Sequence, residues 1–337
     1  MKTNIQKPPF KLVWLDTHAI IAMARALNDK SAKAEDKKKY EELVTRISKL
    51  TDDCKILCPE ADQDIEYEQG RRLIEEIRHL QTRMSKGIRV LTYNAIGDSQ
   101  LSLIMKAHID KENSVDLPWE GIFYRDPIKD LQDKSPFIVT VHHSTSEQEL
   151  IEIDGSHKEI ARIWENLRIE RIKNKINFSV ALNMEYTGYG SAVASDFSSL
   201  LEKQIKKMPV SFEDMIKSMD IVGRPITLWK HYNGTPEGLN GLLKFYNSED
   251  FKVIPSVDIS CKLVSDLTTG QEKIRSSDIM DVHQISAIMP YCHYIVTDGA
   301  MRNRIVGKLK LDKEYNVQVI KLSELDNLLD IIEADMV

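Results

Sequence analysis

SSDIMDVHQISAIMPYCHYIVTD, Ser276 to Asp298, is the stretch whose reading decides the fold, because it passes from a helix to a strand and ends on an acid. Asp278 and Asp281 lie three apart, so a helix opening there carries both on one face. Pro290 stops that helix, and HYIVT reads as a short buried strand with Asp298 at its carboxyl end. Acids at the carboxyl ends of parallel strands occupy the place where an open α/β sheet forms its ligand crevice.

The same alternation appears at the other end of the chain. FKLVWLD, Phe10 to Asp16, is an apolar run with an acidic tip, and THAIIAMARAL follows it with helical content. NDKSAKAEDKKKYEELVTRISKL is highly charged, yet Tyr40, Leu43, Val44, Ile47 and Leu50 recur at helical spacing, which predicts an amphipathic surface helix. KILCP reads as a second buried strand, and EADQDIEYEQGRRLIEEIRHLQTRM as a helix starting just past it. Near the C-terminus, VQVIKLSELDNLLDII predicts one more strand and helix.

Between these ends the pattern is helix-rich, with loops such as VDLPWEGIFYRDP. In SHKEIARIWENLRIERIKNKI a stripe of Ile160, Ile163, Trp164, Leu167 and Ile172 is expected to face inward. The expected fold class is therefore α/β: a central parallel sheet flanked by helices in three Rossmann-like layers, interrupted by a large helical insertion. Residues 1–90 and 250–337 would build one discontinuous core, and 91–249 the insertion.

The 337 residues carry a formal charge of −6, so no global basic field advertises a polyanion, and such binding has to come from local patches or metal ions. The four cysteines, Cys54, Cys58, Cys261 and Cys292, show no CxxC spacing and sit in or beside apolar runs, which predicts buried free thiols in a reducing compartment. With no apolar signal region and no long apolar span, the expected location is cytoplasmic, away from membranes. GxSxG, GxxxxGK[ST] and GxGxxG are all missing, so serine-hydrolase, P-loop and dinucleotide readings lack their defining loops.

LDTHAII after the first strand, a Glu-bearing helix after the second, and SDIMDVHQ followed by MPYCHYIVTD together resemble the acidic motifs of PIN-domain nucleases, metal-dependent relatives of the flap and 5′ nucleases. The resemblance spans roughly the first 90 and last 90 residues. It implies a PIN-like core in which Asp16, Glu66, Asp281 and Asp298 are catalytic and hold one or two Mg²⁺ or Mn²⁺ ions, with Asp278 as an additional or alternative ligand. Asp62, Asp64 and Glu68 compete with Glu66; helical spacing puts Asp62 and Glu66 on one face, which favours Glu66. The implied activity is hydrolysis of RNA or single-stranded nucleic acid, probed against the alternative of an inactive scaffold that binds nucleic acid or protein. A haloacid-dehalogenase-like phosphatase would need an acid two residues after Asp16, where His18 stands.

Carboxylates suit this chemistry because Mg²⁺ and Mn²⁺ prefer hard oxygen donors and leave positions for water and phosphate. Each acid also has a plainer use: Asp16, Ser277 or Asp278 could cap a helix, and Asp298 before Gly299 is a turn pair. Arg71 and Arg72, with Arg78, Arg83, Lys86 and Arg89, form one basic run, and Arg162, Arg168, Arg171, Lys173 and Lys175 another, with Lys203, Lys206 and Lys207 further on. These are either solvated faces or a phosphate-tracking groove, and Arg71 and Arg72 are the substrate-binding candidates. His283 is expected in the core or behind the ligands, and His142 and His143 at the surface. The insertion is left as a contact surface for a second copy of the chain or another protein.

Overall fold

The computed structural model describes residues 1–28, 33–60, 73–133, 147–209, 211, 223–234 and 238–334. The chain is mixed α/β and mostly helical, with a parallel sheet flanked by helices. Its contacts define two compact units: Met1–Asn4, Gly97–Leu117 and Leu167–Glu272 form one, and Ile5–Ile96, Pro118–Asn166 and Lys273–Val337 the other. Among the described residues no helix is long and apolar enough to cross a membrane.

Strands β1 (Lys2–Ile5) and β4 (Ser114–Leu117) pair in a small two-stranded sheet, and the second unit holds the larger one. The strands of the larger sheet are β2 (Lys11–Leu15), β3 (Ile56–Leu57), β5 (Tyr294–Val296) and β6 (Gln318–Ile320), in the spatial order β3-β2-β5-β6 and all parallel. KLVWL is buried from Leu12 to Leu15, as a strand covered on both faces must be. Val13 and Leu15 join a core with Ile20, Met23, Ile47, Leu50, Leu325 and Leu328, and Leu12 and Trp14, of opposite parity, are equally buried. The amphipathic stretch forms the helix Ala34–Asp52, with Leu43, Val44, Ile47 and Leu50 inward. Beyond β3, Glu60 bridges in parallel to Arg89, which adds a short contact outside that strand.

Strand order carries the functional geometry. From β2 the chain moves outward to β3, then returns to the opposite side of β2 to lay down β5 and later β6. The gap between β2 and β5 is thus the point where the winding reverses, the place at which an open α/β sheet generally forms its ligand site, outside the carboxyl ends of the strands. Helix Ser276–Ile288 leads into β5 and, as Pro290 demands, gives way to a 3₁₀ turn at Met289–Tyr291.

In the first unit, helix Phe178–Ile205 packs most extensively on helix Pro255–Thr269, around a core that includes Ile104, Trp229, Phe245 and Phe251. Arg171 is buried in an ion pair with Glu185 at 2.7 Å and donates to the Thr268 hydroxyl. Tyr186 donates to Asp258 at 2.5 Å, and Lys262 pairs with the other oxygen of that carboxylate.

The apolar stripe of helix Glu147–Lys173 is only partly withdrawn from solvent: Ile160, Trp164, Leu167 and Ile172 are half-buried and Ile163 is exposed. Among the described side chains of this helix the fully buried ones are His157, Ala161 and Arg171, the last of which finds a carboxylate and a hydroxyl inside.

Candidate functional site

Leu15 is the last register partner of Val296, and Val296 that of Ile320. The next residues, Asp16, Thr297 and Lys321, therefore form one further row across three strands. The ladder runs into that row: the Asp16 N–H donates to the Val296 carbonyl and the Thr297 N–H to the Ile320 carbonyl, both at 3.0 Å.

Asp16 is 4 % exposed, and its Oδ1 accepts from the Ala19 N–H at 2.9 Å, so it caps the helix Thr17–Asn28. Its carboxyl pKa is raised, first by burial. The Thr297 hydroxyl, the Ala19 N–H and His18 oppose the rise, and the charge of Asp298 adds to it. Thr297 Oγ1 is buried beside this carboxylate without a hydrogen bond of full geometry.

Asp298 is extended (φ −71°, ψ 171°) and caps Gly299–Arg302, its Oδ1 accepting from Ala300 N–H at 2.7 Å and Met301 N–H at 2.8 Å. Asp278 sits in the first turn of Ser276–Ile288, where its Oδ2 accepts from the Arg275 N–H at 2.7 Å. Its pKa is raised by burial, held back by the Arg275 N–H and the Arg304 and Arg275 charges, and raised again by Asp298. Asp298 is thus felt by both other acids. Asp281 lies half-buried one turn further along the same helix.

Glu66 and its competitors Asp62, Asp64 and Glu68, like Arg71, Arg72, His142 and His143, lie outside the described residues. Among the described residues no group of three or more His, Cys, Asp or Glu side chains is gathered to hold a metal ion. The donor chemistry nevertheless fits a hard divalent cation. Each backbone cap engages one carboxylate oxygen of Asp16, Asp298 or Asp278, and one oxygen per carboxylate suffices for a monodentate ligand.

The described cations of the first basic run are engaged elsewhere. Arg78 pairs with Glu75, Arg83 with Glu41 and Arg89 with Glu60, and Lys86 donates to the Leu131 and Asp133 carbonyls. Arg162 pairs with Glu159 one turn away, and Arg168 donates to the Gly270 and Gln271 carbonyls. His283 is stacked on Tyr93 with ring centroids 4.8 Å apart, and burial, with the neighbouring His157, lowers its pKa to about 4.

Four polar residues, one of them structural, escaped the linear reading. Glu60 is buried beyond β3 and accepts from Thr82 Oγ1 at 2.7 Å and Ser85 Oγ at 3.2 Å. Arg304 is buried near Asp278, and Thr297 and Lys321 complete the row of Asp16. Thr297 and Lys321 could have been found as the first residues past two apolar runs; nothing local marks Glu60 or Arg304.

In comparisons with known proteins, no family model matched the chain, and neither the curated proteins nor the solved structures gave a match.

Proposed function

We propose that this chain is a metal-dependent phosphodiesterase with a PIN-like core, hydrolysing RNA or single-stranded nucleic acid at the carboxyl edge between β2 and β5. One observation carries the reading: a buried acid, Asp16, and the acid that follows the neighbouring parallel strand, Asp298, stand at the carboxyl ends of β2 and β5 at the point where the winding reverses. The parallel order β3-β2-β5-β6 supports the same reading.

Asp16, Asp298 and Asp278 would hold Mg²⁺ or Mn²⁺, with Asp281 and an acid of the 61–72 segment, Glu66 first among them, as further ligands. When bound, such an ion supplies Lewis-acid polarisation of a phosphoryl oxygen and acidifies coordinated water. The chain's own contribution is orientation. The caps at Ala19, Ala300 and Met301 lock the Asp16 and Asp298 rotamers, and the burial of Asp16 reduces the solvent screening of its carboxylate.

The experiment is incubation with labelled single- and double-stranded RNA and DNA under Mg²⁺, Mn²⁺ or EDTA, beside Asp16→Asn. Cleavage of a single-stranded substrate that needs metal and Asp16 is the expected result; no cleavage of any substrate by the wild type overturns the reading. The capping of backbone N–H groups by three of the acids favours a second reading, an inactive scaffold. That alternative predicts nucleic-acid binding by the wild type, unchanged in Asp16→Asn, with no cleavage.

A further inference from the structure

We infer that Lys321 is the substrate-anchoring cation of this edge, contacting a phosphate of the nucleic-acid backbone beside the acids; the inference rests on the phosphodiesterase reading above. Lys321 is the β6 member of the row that Asp16 and Thr297 begin, each one residue beyond the Leu15–Val296–Ile320 register line. Parallel neighbours stand about 4.8 Å apart, so two strand spacings put Lys321 roughly 10 Å from Asp16 along the sheet edge. A lysine side chain reaching inward and one phosphate group together bridge that span.

The side chain of Lys321 is directed toward the same edge. Lys321 has extended backbone, φ −89° and ψ 160°, and its Cε lies 3.8 Å from the position a Cβ would take on Gly299, the residue after Asp298. The stem of the lysine therefore runs back over the turn that bears Asp298 instead of pointing outward along β6.

Glu324 accepts from the Lys321 backbone N–H at 2.7 Å and lies 3.7 Å from Arg302, whose Nε donates to the outward Val319 carbonyl at 3.1 Å. Arg302 thus covers the open edge of β6, and Glu324 fixes the backbone from which Lys321 starts. No carboxylate of a described residue lies within ion-pair distance of the Lys321 ammonium. A cation whose backbone is fixed, beside the acids at the strand ends yet in no ion pair with them, is placed for an anion that those acids repel. A phosphate one or more nucleotides from the scissile bond is such an anion, and its recognition is independent of base sequence.

The test compares wild type, Lys321→Ala, Lys321→Arg and a control at an exposed helix position, Lys37→Ala, on a labelled single-stranded oligonucleotide with Mn²⁺. We expect Lys321→Ala to raise KM about five- to tenfold with kcat changed less than twofold, and Lys321→Arg and Lys37→Ala to stay near wild type. The salt dependence of binding, read by anisotropy in Asp16→Asn with and without Lys321→Ala, should lose about 0.7 from its logarithmic slope, the value of one single-strand phosphate contact. Wild-type KM and slope in Lys321→Ala, with cleavage still dependent on Asp16, would overturn the role of Lys321 and leave the phosphodiesterase reading intact. Absence of cleavage by the wild type itself would overturn both. Since Lys321 is exposed and makes no side-chain hydrogen bond to a described residue, its variants are expected to fold, and matching circular dichroism melts verify this.

Discussion

Leu15 and Val296 are register partners on adjacent parallel strands, so Asp16 and Thr297, each one residue further, meet at the same carboxyl edge although they come from opposite ends of the chain. The buried Asp16 carboxylate, with Asp298 nearby, has its pKa raised above the ordinary value of 3.8. A raised folded-state pKa means that the native protein binds the proton more tightly than the unfolded chain. The stabilising effect is complete below the unfolded pKa and is lost as pH rises through the folded one. Metal-free Asp16→Asn should therefore melt above the wild type at pH 7 and match it in strong acid. Adding Mg²⁺ or Mn²⁺ should raise the melting temperature of the wild type and leave the variant unmoved. Identical pH profiles for the two metal-free proteins would contradict the burial of an ionised Asp16.

Asp298 allows capping and charge to be separated. Asp298→Asn retains an acceptor for the Ala300 and Met301 N–H groups and should keep its stability while losing metal-dependent cleavage at least a hundredfold. Asp298→Ala should lose the activity and also about 0.5–2 kcal/mol of stability, the usual cost of a removed cap. A full rate in Asp298→Asn would assign the residue to the turn alone.

Asp281→Asn should abolish Mn²⁺-dependent cleavage with the melt unchanged, because Asp281 lies half-buried one turn into the helix that Asp278 opens. The check is a single-turnover rate on purified protein. A wild-type rate there would pass the ligand role to Asp278.

Glu60 is predicted to be structural. It is buried, accepts from Thr82 and Ser85, and pairs with Arg89 at 3.3 Å. Glu60→Ala leaves those groups with an empty site and should cost about 1–3 kcal/mol in a denaturant melt. Its kcat should hold at temperatures where the variant remains folded; a collapse of kcat without loss of stability would move Glu60 into the chemistry.

His283 and His293 are each lowered to about 4 by burial, with His157 adding to the first and Lys7 and Lys11 to the second. His293 Nδ1 also accepts from the Leu12 N–H at 3.1 Å, a bond available only to the neutral ring. Lowered folded pKa values mean that the unfolded chain takes up protons first as pH falls from about 6.5. The contribution of both residues is complete above that value and is lost on the way down to about 4. Melts between pH 7 and pH 4 should decline over this window, and less steeply in His283→Phe, which keeps an aromatic ring against Tyr93. Equal slopes in variant and wild type would show that His283 takes up its proton as readily in the folded state.

The strands β2, β3, β5 and β6 were legible because each is a short apolar run ending in a charged or turn residue, and Pro290 marked the helix end before β5. The places of Asp16 and Asp298 just past β2 and β5, and of Asp278 in the first turn of Ser276–Ile288, were legible for the same reason, since they stand where a run of one periodicity gives way to the next. The buried face of Glu147–Lys173 was not legible. Its buried residues His157 and Arg171 are polar, and the burial of Arg171 depends on Glu185 and Thr268, partners that local spacing cannot reveal.

By itself the sequence determined which residues could bear the chemistry, because apolar periodicity and the proline fix the element boundaries and hence the strand ends. Tertiary structure alone decided which strand ends are neighbours. Parallel pairing of β5 beside β2 and β6 beside β5 sets Asp16, Thr297 and Lys321 in one row, and burial then couples the charges of Asp16, Asp278 and Asp298. Register is a relation between strands and the effective dielectric a property of the packed whole, so neither is written in any local stretch of the chain.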